Sequence, residues 1–246
     1  MVAEAEEDNL GDKVFKERWS RWRTCSLCEQ DYHSVVRCAL GWACWKTYVS
    51  RPQTFRPYGI AIGEVGGGLL ANEDFEGAAH KFEAEVALFK RLCCSAYIVD
   101  GVKMDLASCL ERCGRGKEAI AIKRDIYSRR KRAFGISNEE TLLAAHNLAC
   151  ALNCVHEVSE AKSVAGEHLP VARRALGADH AVTLVIAHMH AYASARTYPT
   201  QNELVFAEKL LEDTVARMRR VFGHEHPHTR NAEGDLTEIR RHIANL

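Results

Sequence analysis

The sequence predicts an all-α chain: an α-α superhelix, that is, a solenoid of antiparallel helix pairs, with an N-terminal Cys-rich capping segment. Three observations predict it. First, one block of residues recurs. Gly135, Gly177 and Gly223 each follow an apolar pair (Ala133-Phe134, Ala175-Leu176, Val221-Phe222) and, before that, a basic doublet (Lys131-Arg132, Arg173-Arg174, Arg219-Arg220). Six residues past each glycine stands a threonine: Thr141, Thr183 and Thr229. The glycines are 42 and 46 residues apart, and a period near forty marks stacked supersecondary units. Second, each period holds two runs of apolar residues at helical spacing. Third, fixed positions stay small, as closely crossing helices require.

Taken in order, the first full period opens with Leu106, Ala107 and Leu110 on one helical face up to Arg112. Gly114-Arg115-Gly116 breaks that pattern. A second helix follows, carrying Ala119, Ile122 and Ile126, and Gly135 is placed to end it in the left-handed conformation. The next period repeats the arrangement with Leu148, Ala149 and Leu152, then Ala161 and Val164, then Gly177. The small positions are Ala107, Ala149 and Ala191 in the first helices and Ala119, Ala161 and Ala207 in the second. A worn copy precedes them, since Gly66 and Ala78 each lie 41 residues before their counterparts. Four repeats are expected.

These residues resemble the tetratricopeptide repeat, in the 42-residue form of kinesin light chains. The match rests on the small residues just named and on the Asn147-Leu148-Ala149 run. It includes a G-x-x-H-P-x-T linker at Gly223, His226, Pro227 and Thr229, reduced to Gly177-His180-Thr183 and Gly135-Asn138-Thr141 in earlier copies. It covers roughly residues 55 to 244. The resemblance implies a groove lined by the first helix of each pair, holding a peptide or helix with asparagine and basic side chains. Of the asparagines, Asn147 is retained, and Asp105 and Met189 stand in its place in neighbouring repeats. The groove positions are Met104, Asp105, Ser108 and Arg112, then His146, Asn147, Cys150 and Asn153, then His188, Met189 and Tyr192.

The chain has 246 residues, with thirty-three basic and thirty-three acidic side chains, so no global field steers it to nucleic acid or a membrane. The expected organisation is a tail, Cys-rich segment and capping helix over 1–50, then about four repeats and a C-terminal cap helix over 51–246. The acidic first ten residues show no secretory signal, and Met1 to Asp12 should fray. Val35 to Val49 is the most apolar run and is too short to span a bilayer. The ten cysteines suit reduced thiols in a cytoplasmic setting, most of them on buried helical faces, such as Cys109 with Cys113 and Cys150 with Cys154.

At the start of the chain, Phe15, Trp19 and Trp22 fall at helical spacing among basic residues, which predicts a short helix docking its aromatics on the first repeat. Cys25, Cys28, His33 and Cys38 have the C-x2-C-x4-H-x4-C order of a zinc knuckle. That order gives the alternative reading of 25–45, a zinc module contacting nucleic acid or protein with the repeats as platform. Against it, Glu29 and Tyr32 occupy the places where a knuckle needs glycine, and Ser34 onward reads as a helix through Val35, Val36, Ala39, Leu40 and Ala43. A redox dithiol at Cys25 and Cys28 lacks its usual βαβ surroundings. Gly41 to Val49 continues the helix as a cap, which an array end requires.

Other features read structurally. Gly66-Gly67-Gly68 has no P-loop lysine and sits where every repeat is small. Lys131 and Arg132 recur in each copy as cations facing a helix C-terminus. His226 is a linker residue rather than part of a metal site with His224 and His228. Pro170 should interrupt its helix, and a four-residue insertion falls around Thr197 to Gln201. No nucleophile elbow, HExxH or acid–base pair emerges, so the sequence predicts a non-enzymatic interaction scaffold. It expects a protein or peptide partner, with no cofactor, small-molecule substrate, membrane or nucleic-acid partner.

Overall fold

A computed structural model describes residues 11–196 and 199–245. The expected fraying of Met1 to Asp12 therefore falls largely outside the described residues, as do Thr197 and Tyr198 of the insertion. Among the described residues there are eleven helices and no strand, and Thr24 and Asp31 make an isolated antiparallel bridge. The backbone forms two compact units, Met1–Arg115 and Gly116–Leu246.

The N-terminal unit holds α1 (Gly11–Ser20), α2 (Ser34–Tyr48), α3 (Arg56–Ala71), α4 (Phe75–Arg91) and α5 (Ala96–Arg112). From α3 onward each helix packs on its predecessor. The aromatic spacing of α1 does what it predicts: Phe15 and Trp19 are buried with Cys44, Tyr48 and Ala61. Trp19 stacks on Phe15 at 5.3 Å between ring centroids and leans on Tyr48 at 5.4 Å. The glycines of α3 serve close approach. A methyl group on Gly66 would come within 2.9 Å of the Phe82 ring, and one on Gly68 within 2.8 Å of the Cys38 Cα. Helix α3 thus lies tightly between α2 and α4, which offsets the roughly 1 kcal/mol per glycine lost in helix propensity.

The C-terminal unit holds α6 (Gly116–Phe134), α7 (Glu139–Cys154), α8 (Val158–Ala175), α9 (Ala181–Arg196), α10 (Gln201–Val221) and α11 (Pro227–Ala244). Consecutive helices pack together, and α9 also touches α7 and α11. The recurring small residues Ala149, Ala191, Ala119, Ala161 and Ala207 are all fully buried, where two helices cross. Gly135, Gly177 and Gly223 have φ of 81°, 94° and 89°. Nothing lies within 4 Å of where their Cβ would be, so the requirement is conformational, not spatial.

The linkers repeat at the level of single hydrogen bonds. Asn138 accepts from Glu140 N–H at 2.9 Å, His180 from Val182 N–H at 3.3 Å and His226 from His228 N–H at 3.2 Å. Each side chain covers the open N-terminus of its helix. Histidine at this position does what asparagine does, because a neutral imidazole nitrogen is also an acceptor. Thr141, Thr183 and Thr229 are buried, and their hydroxyls have no hydrogen-bond partner.

Two expectations need adjustment. Helix α8 runs through Pro170 unbroken, because Pro170 lies on the solvent side, where water can satisfy the freed carbonyl. Among the cysteines only Cys44 and Cys109 are fully buried. Cys113 is the C-cap residue of α5 and half-buried, and Cys154 is the last residue of α7 and exposed.

Candidate functional site

In the C-terminal unit, α7, α9 and α11 lie side by side and enclose a cleft of about 450 Å³. Its walls carry Asn153 from α7, His188, Met189 and Tyr192 from α9, and Arg230, Asn231, Gly234 and Asp235 from α11. These come from three helices because residues three and four apart share a helical face. The Asn153 carboxamide oxygen is buried and has no hydrogen-bond partner. His188 Nε2 meets Asp235 Oδ2 at 2.7 Å, which fixes both side chains across the α9–α11 seam. The Tyr192 ring stands edge-on to His188 at 6.4 Å, and Arg196 donates to the Tyr192 hydroxyl at 2.6 Å.

His146 and Asn147 lie on α7, half-buried. Burial first, then the neighbouring His228, His188 and Lys123, holds the His146 imidazole down to about 4, so it is neutral at physiological pH. The Cys150 sulfur lies 3.5 Å from its Nε2. Burial, with His226 and His188 nearby, also lowers His228. The cleft itself is walled by polar side chains from all three helices, with Arg230 and the Asp235–His188 contact among them.

The remaining sequence candidates lie in the N-terminal unit, on α5. Met104 is half-buried and Asp105 exposed, and the Arg112 guanidinium lies over the Phe75 ring at 4.3 Å. Sequence reasoning missed the charge cluster inside this unit. The fully buried Glu64 carboxylate accepts from Trp19 Nε1 and Arg23 Nε, both at 2.7 Å, and from Arg37 Nη2 at 2.6 Å. Glu85, also buried, is pushed up to about 9 by burial and by Asp105 and Glu64, so it carries its proton at neutral pH. The signal was present: Glu64 is the one charged residue in α3 after Arg56, and a lone carboxylate in an apolar, glycine-rich helix requires a partner.

Of the zinc-knuckle residues, the structure brings Cys25 and Cys28 together. Their turn is closed by the Thr24–Asp31 bridge, and Glu29 adopts φ 56°, making the bend for which glycine is usual. Backbone N–H groups of Cys28 and Leu27, then the Cys28 thiol, lower Cys25 to about 7. His33 is the N-cap residue of α2, and Cys38 lies in its second turn. Among the described residues no group of three or more His, Cys, Asp or Glu side chains converges as a metal site. No described helix is long and apolar enough to cross a membrane.

Comparison with known proteins agrees with this architecture. The tetratricopeptide-repeat family profile matches residues 141–181 and 195–228. No curated protein matches the sequence. Among solved structures, the fold is similar to nearly identical TPR-like repeats from Podosopora anserina, described as a kinesin light chain. There the TM-score is 0.64 and the identity 17%, over 74% of this chain and 85% of that one. It is also similar to BtubC (BKLC) from P. vanneervenii, with a TM-score of 0.55 and 12% identity over 85% and 92% of the two chains. Residues 141–181 and 195–228 thus match the tetratricopeptide-repeat profile, and the chain shares the fold of TPR-like repeat arrays.

Proposed function

We propose that this protein is a non-enzymatic interaction scaffold whose C-terminal unit holds an extended peptide or a helix from a protein partner in the cleft between α7, α9 and α11. The observation that carries this reading is the buried, unpartnered Asn153 carboxamide oxygen in a cleft of about 450 Å³. A buried acceptor left without a donor costs about 1–3 kcal/mol, and a peptide N–H from a partner would recover it. Asn147, His146, His188 and Tyr192 supply further polar and aromatic contacts, the residue types that anchor peptides at interfaces. Met104, Asp105 and Arg112 belong to the proposal as accessible groups of α5 in the N-terminal unit.

Selection of peptides from a random display library on the full chain, followed by fluorescence anisotropy, tests it. Selected peptides should lose affinity about tenfold, or about 1.4 kcal/mol, on Asn153→Ala and again on Tyr192→Ala. The pair Asn147→Ala and His146→Ala should weaken them further. Peptides that bind the quadruple variant as tightly as the wild type would place the binding surface elsewhere.

A further inference from the structure

We propose that Cys25 and Cys28 form a thiol–disulfide exchange site, a paired dithiol on a clasped turn that reacts with small-molecule disulfides and closes to an internal disulfide. Three features of the turn carry this. It is held in shape independently of the sulfurs: Thr24 Oγ1 donates to Asp31 Oδ1 at 2.8 Å, Cys25 N–H to the Gln30 carbonyl at 2.9 Å, and Tyr32 N–H to the Arg23 carbonyl at 2.7 Å. It is accessible, since Cys28 is exposed and Leu27 between the cysteines is 94% exposed. And the turn is short: Cys25 and Cys28 are its first and fourth residues, and Glu29 N–H donates to the Cys25 carbonyl at 2.9 Å.

First and fourth residues of a tight turn lie within about 7 Å between Cα atoms. That matches the span a disulfide bridges without backbone movement. The other cysteines lack this combination: Cys44 and Cys109 are fully buried, and Cys93 and Cys94 are sequence neighbours on a turn where Cys93 has φ 54°. Two sulfurs are also only half of a tetrahedral zinc set, and no third ligand converges on them among the described residues.

The reaction balances with a small-molecule disulfide such as glutathione disulfide as oxidant. The Cys25 thiolate attacks one sulfur of that disulfide, forming a mixed disulfide and expelling a thiolate, which takes a proton from water. The Cys28 thiol then gives its proton to solvent and attacks the Cys25 sulfur. This forms the Cys25–Cys28 bond and expels the second thiolate, which takes a proton from solvent, so two protein thiols are oxidised and one disulfide is reduced to two thiols.

The test treats the full chain with glutathione disulfide, quenches with acid and maps disulfides by mass spectrometry without reduction. Trypsin releases Thr24–Arg37, which contains Cys25 and Cys28 and no other cysteine. That peptide should appear internally bonded before any other cysteine reacts, and dithiothreitol should reopen it. Cys28→Ser should stop at the glutathione adduct on Cys25, and Cys25→Ser should slow the first adduct at least tenfold. Thr24→Val with Asp31→Ala loosens the clasp without touching sulfur and should slow closure several-fold, with helicity by circular dichroism unchanged. A persistent adduct on wild-type Cys25 overturns the proposal. So does first reaction at Cys93 or Cys94, or a pair that carries one zinc per chain and reacts only after chelation.

Discussion

The two units of this molecule solve the same packing problem with different interiors. In the C-terminal unit the small positions are alanines, polar capping repeats from linker to linker, and most buried polar groups are hydroxyls: Thr141, Thr183, Ser194, Thr214 and Thr229. In the N-terminal unit the small position is a glycine run, and charged groups are interior: Arg37, Glu64 and Glu85. The difference teaches what a worn repeat is physically. Once Gly66 to Gly68 let the backbones of α2 and α3 approach, the space beside them fits a carboxylate and its guanidinium partners. That unit then adds a few specific buried ionic bonds to its apolar core.

The largest test of the contrast is Glu64→Ala. It leaves Arg37 buried without its partner and should destabilise the N-terminal unit by about 3–5 kcal/mol, read from urea unfolding followed by the fluorescence of its tryptophans. An effect under 1 kcal/mol would mean the buried ion pair is no support. Next is Glu85→Gln. A carboxyl raised to about 9 in the fold, from an ordinary value near 4.5, contributes stability that is complete below about pH 4.5 and lost as pH rises toward 9. The variant should therefore be more stable by about 3 kcal/mol at neutral pH and show no gain at pH 4.

In the C-terminal unit the effects expected of single substitutions are smaller. Thr183→Val replaces a buried hydroxyl that has no partner by a methyl group and should raise stability by about 1 kcal/mol. His156→Gly, at a residue held at φ 64° between α7 and α8, should add about 0.5–1 kcal/mol by relieving left-handed strain. This unit also carries a pH dependence at His146. Its value falls from about 6.5 to about 4 on folding, so it contributes stability above pH 6.5 that is lost as pH falls toward 4. His146→Gln should flatten thermal stability between those limits.

Much of the fold is legible before any coordinates. Gly135, Gly177 and Gly223 mark helix ends because only a left-handed residue turns the chain there, and Ala149 and Ala191 mark crossings because only a small side chain fits. The candidate cleft is legible in part. Counting from those alanines finds Asn153, His188 and Tyr192, since helical spacing puts them on one face. It misses Arg230, Asn231 and Asp235 on α11, because a helix charged on most faces reads as solvated.

Periodicity by itself determined the helix pairs, their junctions and which side chains stay small, because those depend on local backbone conformation and on contacts at fixed sequence spacing. Only the tertiary structure decided that Glu64 meets Arg23 and Arg37, 41 and 27 residues away, that Asp235 clasps His188, and that Cys25 and Cys28 share one turn clasped by the Thr24–Asp31 bridge. Such pairings depend on how side chains from separate segments converge in three dimensions, and no period in the chain encodes that convergence.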